Sequence, residues 1–152
     1  MTITKILATG FGLGYVPKMP GTAGSVLGLA LVWWLTPLGM ATYTGIAVLF
    51  IFFAVWVSHR AEREFAVKDA PQIVIDEIAG ILVTFIAVPV LWPTLVAGFF
   101  LFRFFDIVKP TPIKQTQRLP GGWGVVMDDV AAGVVSNIVL QIVLTMWYVM
   151  AT

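Results

Sequence analysis

Residues 19–59 read MPGTAGSVLGLALVWWLTPLGMATYTGIAVLFIFFAVWVSH, and no lysine, arginine, aspartate or glutamate stands between Lys18 and Arg60. A helix needs about 20 mainly apolar residues to cross the hydrocarbon core of a bilayer. This stretch is long enough for two such helices, and Thr36-Pro37-Leu38-Gly39 breaks it in the middle. The reading that follows is an integral membrane protein built of helices.

The same pattern continues outward. No charged residue lies between Glu77 and Arg103, and none follows Asp129. Trp92-Pro93 divides the second gap. The expected fold is all-α: a polytopic bundle of about five transmembrane helices, near 22–37, 41–58, 76–91, 94–108 and 128–150, in a single domain over 1–152. The third and fourth are short for a full crossing, so they either thin the bilayer or place their charged ends at head-group depth. Ile6 to Val16 is too short to span and is broken by Gly10, Gly12 and Gly14, which reads as an interfacial or re-entrant segment.

Composition agrees. Of 152 residues, 59% are hydrophobic and 11% charged, against about 45–50% and 25% in soluble domains. A net charge of +1 leaves no polycationic surface for nucleic acid. With no cysteine, disulfides, thiolate catalysis and zinc-thiolate sites are excluded.

Basic residues set the orientation. Lys5 and Lys18 precede the first helix, Arg60, Arg63 and Lys68 follow the second, and Lys109, Lys114 and Arg118 follow the fourth. The opposite loops and the C-terminus carry none. The N-terminus is therefore expected in the cytoplasm and the C-terminus outside.

Four polar clusters then share the cytoplasmic side: Lys18-Met-Pro-Gly-Thr22-Ala-Gly-Ser25, Asp76-Glu77-Ile-Ala-Gly80, Arg103-Phe-Phe-Asp106-Ile-Val-Lys109, and Gly121-Gly-Trp-Gly124 with Asp128-Asp129. Arg103, Asp106 and Lys109 are three residues apart and share a helix face. Charge within a span is costly and faces the bundle interior. Asp76 and Asp128 could each cap a helix start, but one acid is enough for a cap. Adjacent acid pairs repel and require a cation or a proton. Asp76, Glu77, Asp106, Asp128 and Asp129 against Arg103 and Lys109 leave excess negative charge, which suits a hard cation with oxygen ligands, Mg²⁺ above all.

Asp129, Gly133, Asn137 and Gln141 recur every four residues as a polar stripe expected to face the bundle interior. Carboxylates for metal, basic residues for phosphate and a membrane-interface position together suit phosphoryl chemistry on a lipid head group. There is no P-loop, and the one histidine, His59, reads as a solvated helix end. Metal-activated water and an aspartate nucleophile both remain open. Phe104, Phe105 and Trp123 are candidates for the border of an acyl-chain entry, or for interfacial anchors.

The chain resembles the phosphatidylglycerophosphatase A family of bacterial lipid phosphatases. The resemblance rests on Gly10-Phe-Gly-Leu-Gly14 leading to Pro20-Gly-Thr-Ala-Gly-Ser25, Asp76-Glu-Ile-Ala-Gly80, Phe102-Arg-Phe-Phe-Asp-Ile-Val-Lys-Pro-Thr-Pro-Ile113 and Gly121-Gly-Trp-Gly-Val-Val-Met-Asp-Asp-Val-Ala-Ala-Gly133, in that order. It implies a Mg²⁺-dependent, multi-pass enzyme of the bacterial cytoplasmic membrane. Such an enzyme removes the terminal phosphate of phosphatidylglycerophosphate, giving phosphatidylglycerol and inorganic phosphate. On this reading Asp76, Glu77, Asp106, Asp128 and Asp129 are metal-binding and catalytic. Arg103, Lys109, Thr22, Ser25 and Lys18 hold the phosphate. Leu13 stands where the family pattern carries serine, which leaves Thr22 and Ser25 as the hydroxyl candidates.

Another lipid phosphate could be the substrate. A CDP-alcohol phosphotransferase would carry Asp-Gly-x-x-Ala-Arg, a string absent here. An ion or proton carrier would need polar residues through the outer half of the bundle, where residues 85–100 offer only Trp92 and Thr94. Glycine pairs such as Gly24 and Gly28 permit a homo-oligomer.

Overall fold

The computed structural model describes residues 1–151. Among them the regular elements are helices: α1 (Ile3–Ala8), α2 (Pro20–Leu35), α3 (Met40–Phe65), α4 (Ile75–Thr84), α5 (Trp92–Val108), α6 (Ile113–Thr116) and α7 (Gly122–Ala151), with 3-10 turns at Leu13–Tyr15 and Thr36–Leu38. Three helical stretches are long and apolar enough to cross a membrane: Pro20–Leu38, Met40–Phe65 and Gly122–Ala151. Their outward faces carry large apolar side chains, among them Trp34, Leu49, Phe52, Ile142 and Trp147. Apolar exposure on this scale belongs against lipid.

Three expected helices change shape: the one anticipated over 41–58 runs on to Phe65, so His59 lies inside it and not at its end. The helix anticipated over 76–91 ends at Thr84, and Ala87 takes a left-handed φ of 57°. Pro89 offers no N–H and disfavours helical backbone at Val88. The last helix, anticipated from 128, begins at Gly122, so Asp128 and Asp129 stand in its second turn and cap nothing. The N-cap of α4 is Val74, with no side-chain hydrogen bond, so Asp76 is not a cap either.

The early end of α4 leaves carbonyls exposed among apolar side chains. Buried non-helical backbone survives only where protein groups satisfy it. The polar stripe of α7 does this: Asn137 Nδ2 donates to the carbonyls of Thr84 (2.9 Å) and Ile86 (2.7 Å). Gln141 Nε2 donates to Asn137 Oδ1 at 2.9 Å and steadies the amide.

Helix α4 occupies the middle of the bundle, packed against α7, α2, α3 and α5. Ile81 and Leu82 of α4 form the core with Phe85, Phe102 and Val32, all essentially inaccessible. The N-terminal segment lies against this assembly. Helix α1 packs on α3, and the Val74 N–H donates to the Ala8 carbonyl at 2.9 Å. The segment thereby pins the chain just before the acidic start of α4.

Candidate active site

All four polar clusters converge on one cavity of about 480 Å³. Its walls include Lys18 and Thr22 from the start of α2, Asp76 and Glu77 from α4, Arg103, Asp106 and Lys109 from the end of α5, and Asp128 and Asp129 from α7. Residues separated by more than a hundred positions meet because α2, α4 and α7 begin at the same end of the bundle, where α5 finishes. At Gly21, an added Cβ would run into Glu77 Oε1 and stand 3.0 Å from Arg103 Nη1. A larger residue there would displace the Glu77 carboxylate and the Arg103 guanidinium from their places in the site.

The charges sort into two groups. Arg103 Nη1 pairs with Asp106 Oδ2 at 2.5 Å, and Lys109 Nζ lies 3.6 Å from Asp106 Oδ1, 2.5 Å from Asp128 Oδ2 and 4.0 Å from Asp129 Oδ1. Gln117 Nε2 donates to the same Asp128 oxygen at 2.8 Å. Burial pulls the Lys109 ammonium down, but Asp129, Asp128 and Asp106 outweigh it and hold the group above the usual lysine range.

The second group shares one cation with the first, Lys109 at 4.0 Å from Asp129 Oδ1, and among the described residues no ion pair reaches Asp76 or Glu77. Asp76, Glu77 and Asp129 bring ligating oxygens within 4.8 Å of one another. Asp76 Oδ1 and Glu77 Oε2 are buried without a hydrogen-bond partner, as is Asp128 Oδ1. Unpaired buried carboxylate oxygens are costly. Three acids facing one another need a proton or a cation between them. An all-oxygen donor set of this kind suits Mg²⁺.

Nine of the ten expected site residues line the cavity; the tenth, Ser25, does not. Its hydroxyl is buried and donates to the Gly21 carbonyl at 2.8 Å, inside its own helix. Phe104, Phe105 and Trp123 also lie outside the cavity wall; Trp123 packs edge-on to Phe52 of α3, with ring centroids 6.1 Å apart. Two residues escaped the sequence reading. Asp69 lines the cavity from the loop before α4, with its N–H bonded to Glu62 Oε1 at 2.9 Å. Gln117 holds Asp128. Asp69 is a lone loop acid and Gln117 a lone amide, so only the folded arrangement shows what they face.

The chain matches the family model described as phosphatidylglycerophosphatase A over residues 6–144. It is 37% identical over 147 residues to a Bacteroides thetaiotaomicron protein provisionally named phosphatidylinositol-3-phosphatase, covering 90% of this chain and 91% of that one. It is 36% identical over 144 residues to phosphatidylglycerophosphatase A of Escherichia coli, covering 93% and 84%. The Haemophilus influenzae protein of the same name is 37% identical over 138 residues, covering 89% and 85%. No solved structure matches the chain.

Proposed function

The chain belongs to the phosphatidylglycerophosphatase A family, and we propose that its reaction depends on Mg²⁺ and that Asp76, Glu77 and Asp129 hold the ion. The enzyme is a lipid phosphatase that hydrolyses phosphatidylglycerophosphate to phosphatidylglycerol and inorganic phosphate. The observation that carries the metal reading is the meeting of these three acids within 4.8 Å, with two of their oxygens buried and unpaired. When bound there, Mg²⁺ supplies a Lewis acid that offsets charge on the phosphoryl group.

The chain's own residues do the rest. Arg103 and Lys109 grip the phosphate oxygens, with Lys18 and the Thr22 hydroxyl at the mouth. Both cations are already aimed by Asp106, so little reorganisation accompanies the reaction. Asp128 is held by Lys109 and Gln117 through Oδ2. Its free Oδ1 accepts the proton of the attacking water or serves as a further ligand.

The membrane arrangement belongs to the same proposal: five crossings, N-terminus and site on the cytoplasmic side of a bacterial inner membrane. Three crossings are the long helices. The other two are α5 and the run 75–91, helical in its inner half and irregular in its outer half. That outer half reaches the far end of the bundle, where Phe85, Val88 and Pro89 share a cavity with Thr36, Gly39 and Tyr43.

The test is phosphate release by the purified protein from phosphatidylglycerophosphate, phosphatidylinositol 3-phosphate and phosphatidic acid in matched detergent. The highest kcat/KM is expected for phosphatidylglycerophosphate. A preference for phosphatidylinositol 3-phosphate would move the substrate to that of the Bacteroides relative's name. No release from phosphatidylglycerophosphate by folded protein would overturn the reading.

A further inference from the structure

An apolar groove between α2 and α5 begins about one helical turn beyond the active-site cavity, at Val26 after Thr22 and at Phe100 before Arg103, and we infer that this groove takes one acyl chain of the lipid substrate. The two helices run antiparallel, so each contributes a stripe that starts at the site. On α2 the stripe is Thr22, Val26, Ala30, Trp33; on α5 it begins at Arg103. Thr22 and Arg103 line the catalytic cavity. Val26, Ala30 and Trp33, with Val96 and Trp92 of α5, line the groove, whose volume is about 600 Å³. Trp33 and Trp92 meet at its far end, ring centroids 6.1 Å apart.

Length decides the occupant. From Thr22 to Trp33, and from Arg103 back to Trp92, is eleven residues, or about 16 Å of helix. One leaflet of a bilayer is roughly 15 Å of hydrocarbon. A phosphate held by Arg103 at the head of the groove therefore leaves a chain the depth of one leaflet before it reaches the tryptophan pair. The groove has no charged side chain among its lining residues, as an alkyl occupant requires. The acyl chain enters between α2 and α5, and not beside Phe104, Phe105 or Trp123.

This inference rests on the lipid phosphatase reading, and the experiment separates the two. The kcat/KM of phosphate release is measured for dipalmitoyl and dihexanoyl phosphatidylglycerophosphate. The proteins are the wild type, Ala30→Trp and Val96→Trp, which fill the groove from opposite walls, and Val48→Trp on the outward face of α3. The groove variants are expected to lose at least about tenfold, 1.4 kcal/mol, on the long-chain substrate. They should keep the short-chain rate within about twofold, which also reports that they fold. Val48→Trp is expected to match the wild type on both. Equal losses on the two substrates in both groove variants, or no loss on either, would overturn the groove. A wild type inactive on both substrates would overturn the phosphatase reading, and the groove with it.

Discussion

Gly80 of α4 and Asp129 of α7 touch backbone to backbone: a Cβ at Gly80 would lie 2.7 Å from the Asp129 carbonyl oxygen, and would also run into the Phe102 ring. This closeness lets the acids of α4 reach the acid of α7. Gly80→Ala is therefore expected to force the helices apart. Overpacking of this kind costs about 1–3 kcal/mol, and here the separation should also break up the acid cluster. Turnover should fall at least about tenfold although no functional group is removed. Thermal unfolding and phosphate release measured on one preparation check this; wild-type turnover would show that the contact is dispensable.

Asn137 is expected to act on stability and not on the reaction. Its amide satisfies the Thr84 and Ile86 carbonyls, and Asn137→Leu would strand the first and leave the second only the long 3.5 Å contact from Gln141 Nε2. The expected cost is about 1–3 kcal/mol, read as a lower unfolding temperature, with activity per folded molecule near wild type. Loss of turnover without loss of stability would place Asn137 in the reaction instead.

Lys109 holds its proton through ordinary assay conditions. Its folded-state value is raised, so its contribution is complete below the unfolded lysine value, about 10.4, and is lost only as pH rises through the folded value. Lys109→Met is expected to lose about 100-fold or more in turnover, and the loss should be the same at neutral pH and at pH about 9. A loss that shrinks toward alkaline pH would mean that Lys109 titrates in the assay range.

Orientation is testable without background because the chain has no cysteine. In intact cells Gly39→Cys is expected to react with a membrane-impermeant thiol reagent and Lys68→Cys to react only after permeabilisation. The reverse pattern would put the site on the outer face.

Much of the site was legible because charge in an apolar chain is conspicuous. Arg103, Asp106 and the acid pairs stood out as the polar residues at one end of the expected spans, and their convergence followed from helices that start on the same side. What the pattern could not carry was local geometry. A hydropathy reading treats 76–91 as one apolar run, whereas Ala87 and Pro89 end α4 early and Asn137 supports the break from another helix. Ser25 carries the right chemistry in the right motif, yet its hydroxyl faces its own helix turn. Asp69 and Gln117 matter through neighbours far away in sequence. The groove between α2 and α5 is apolar on both walls, and nothing in composition separates such a surface from one that simply faces lipid.

The central claim is that the cluster of Asp76, Glu77 and Asp129 holds a cation that the reaction needs. The most direct measurement is phosphate release from phosphatidylglycerophosphate by purified protein, with Mg²⁺ and with excess chelator, for the wild type, Asp76→Asn and Asp129→Asn, alongside the unfolding temperature of each. Mg²⁺ is expected to support release and to raise the unfolding temperature of the wild type, since a ligand bound only by the folded state stabilises it. Both effects should vanish in the two variants while they remain folded. Undiminished release in chelator, or near wild-type release from either variant, would contradict the claim.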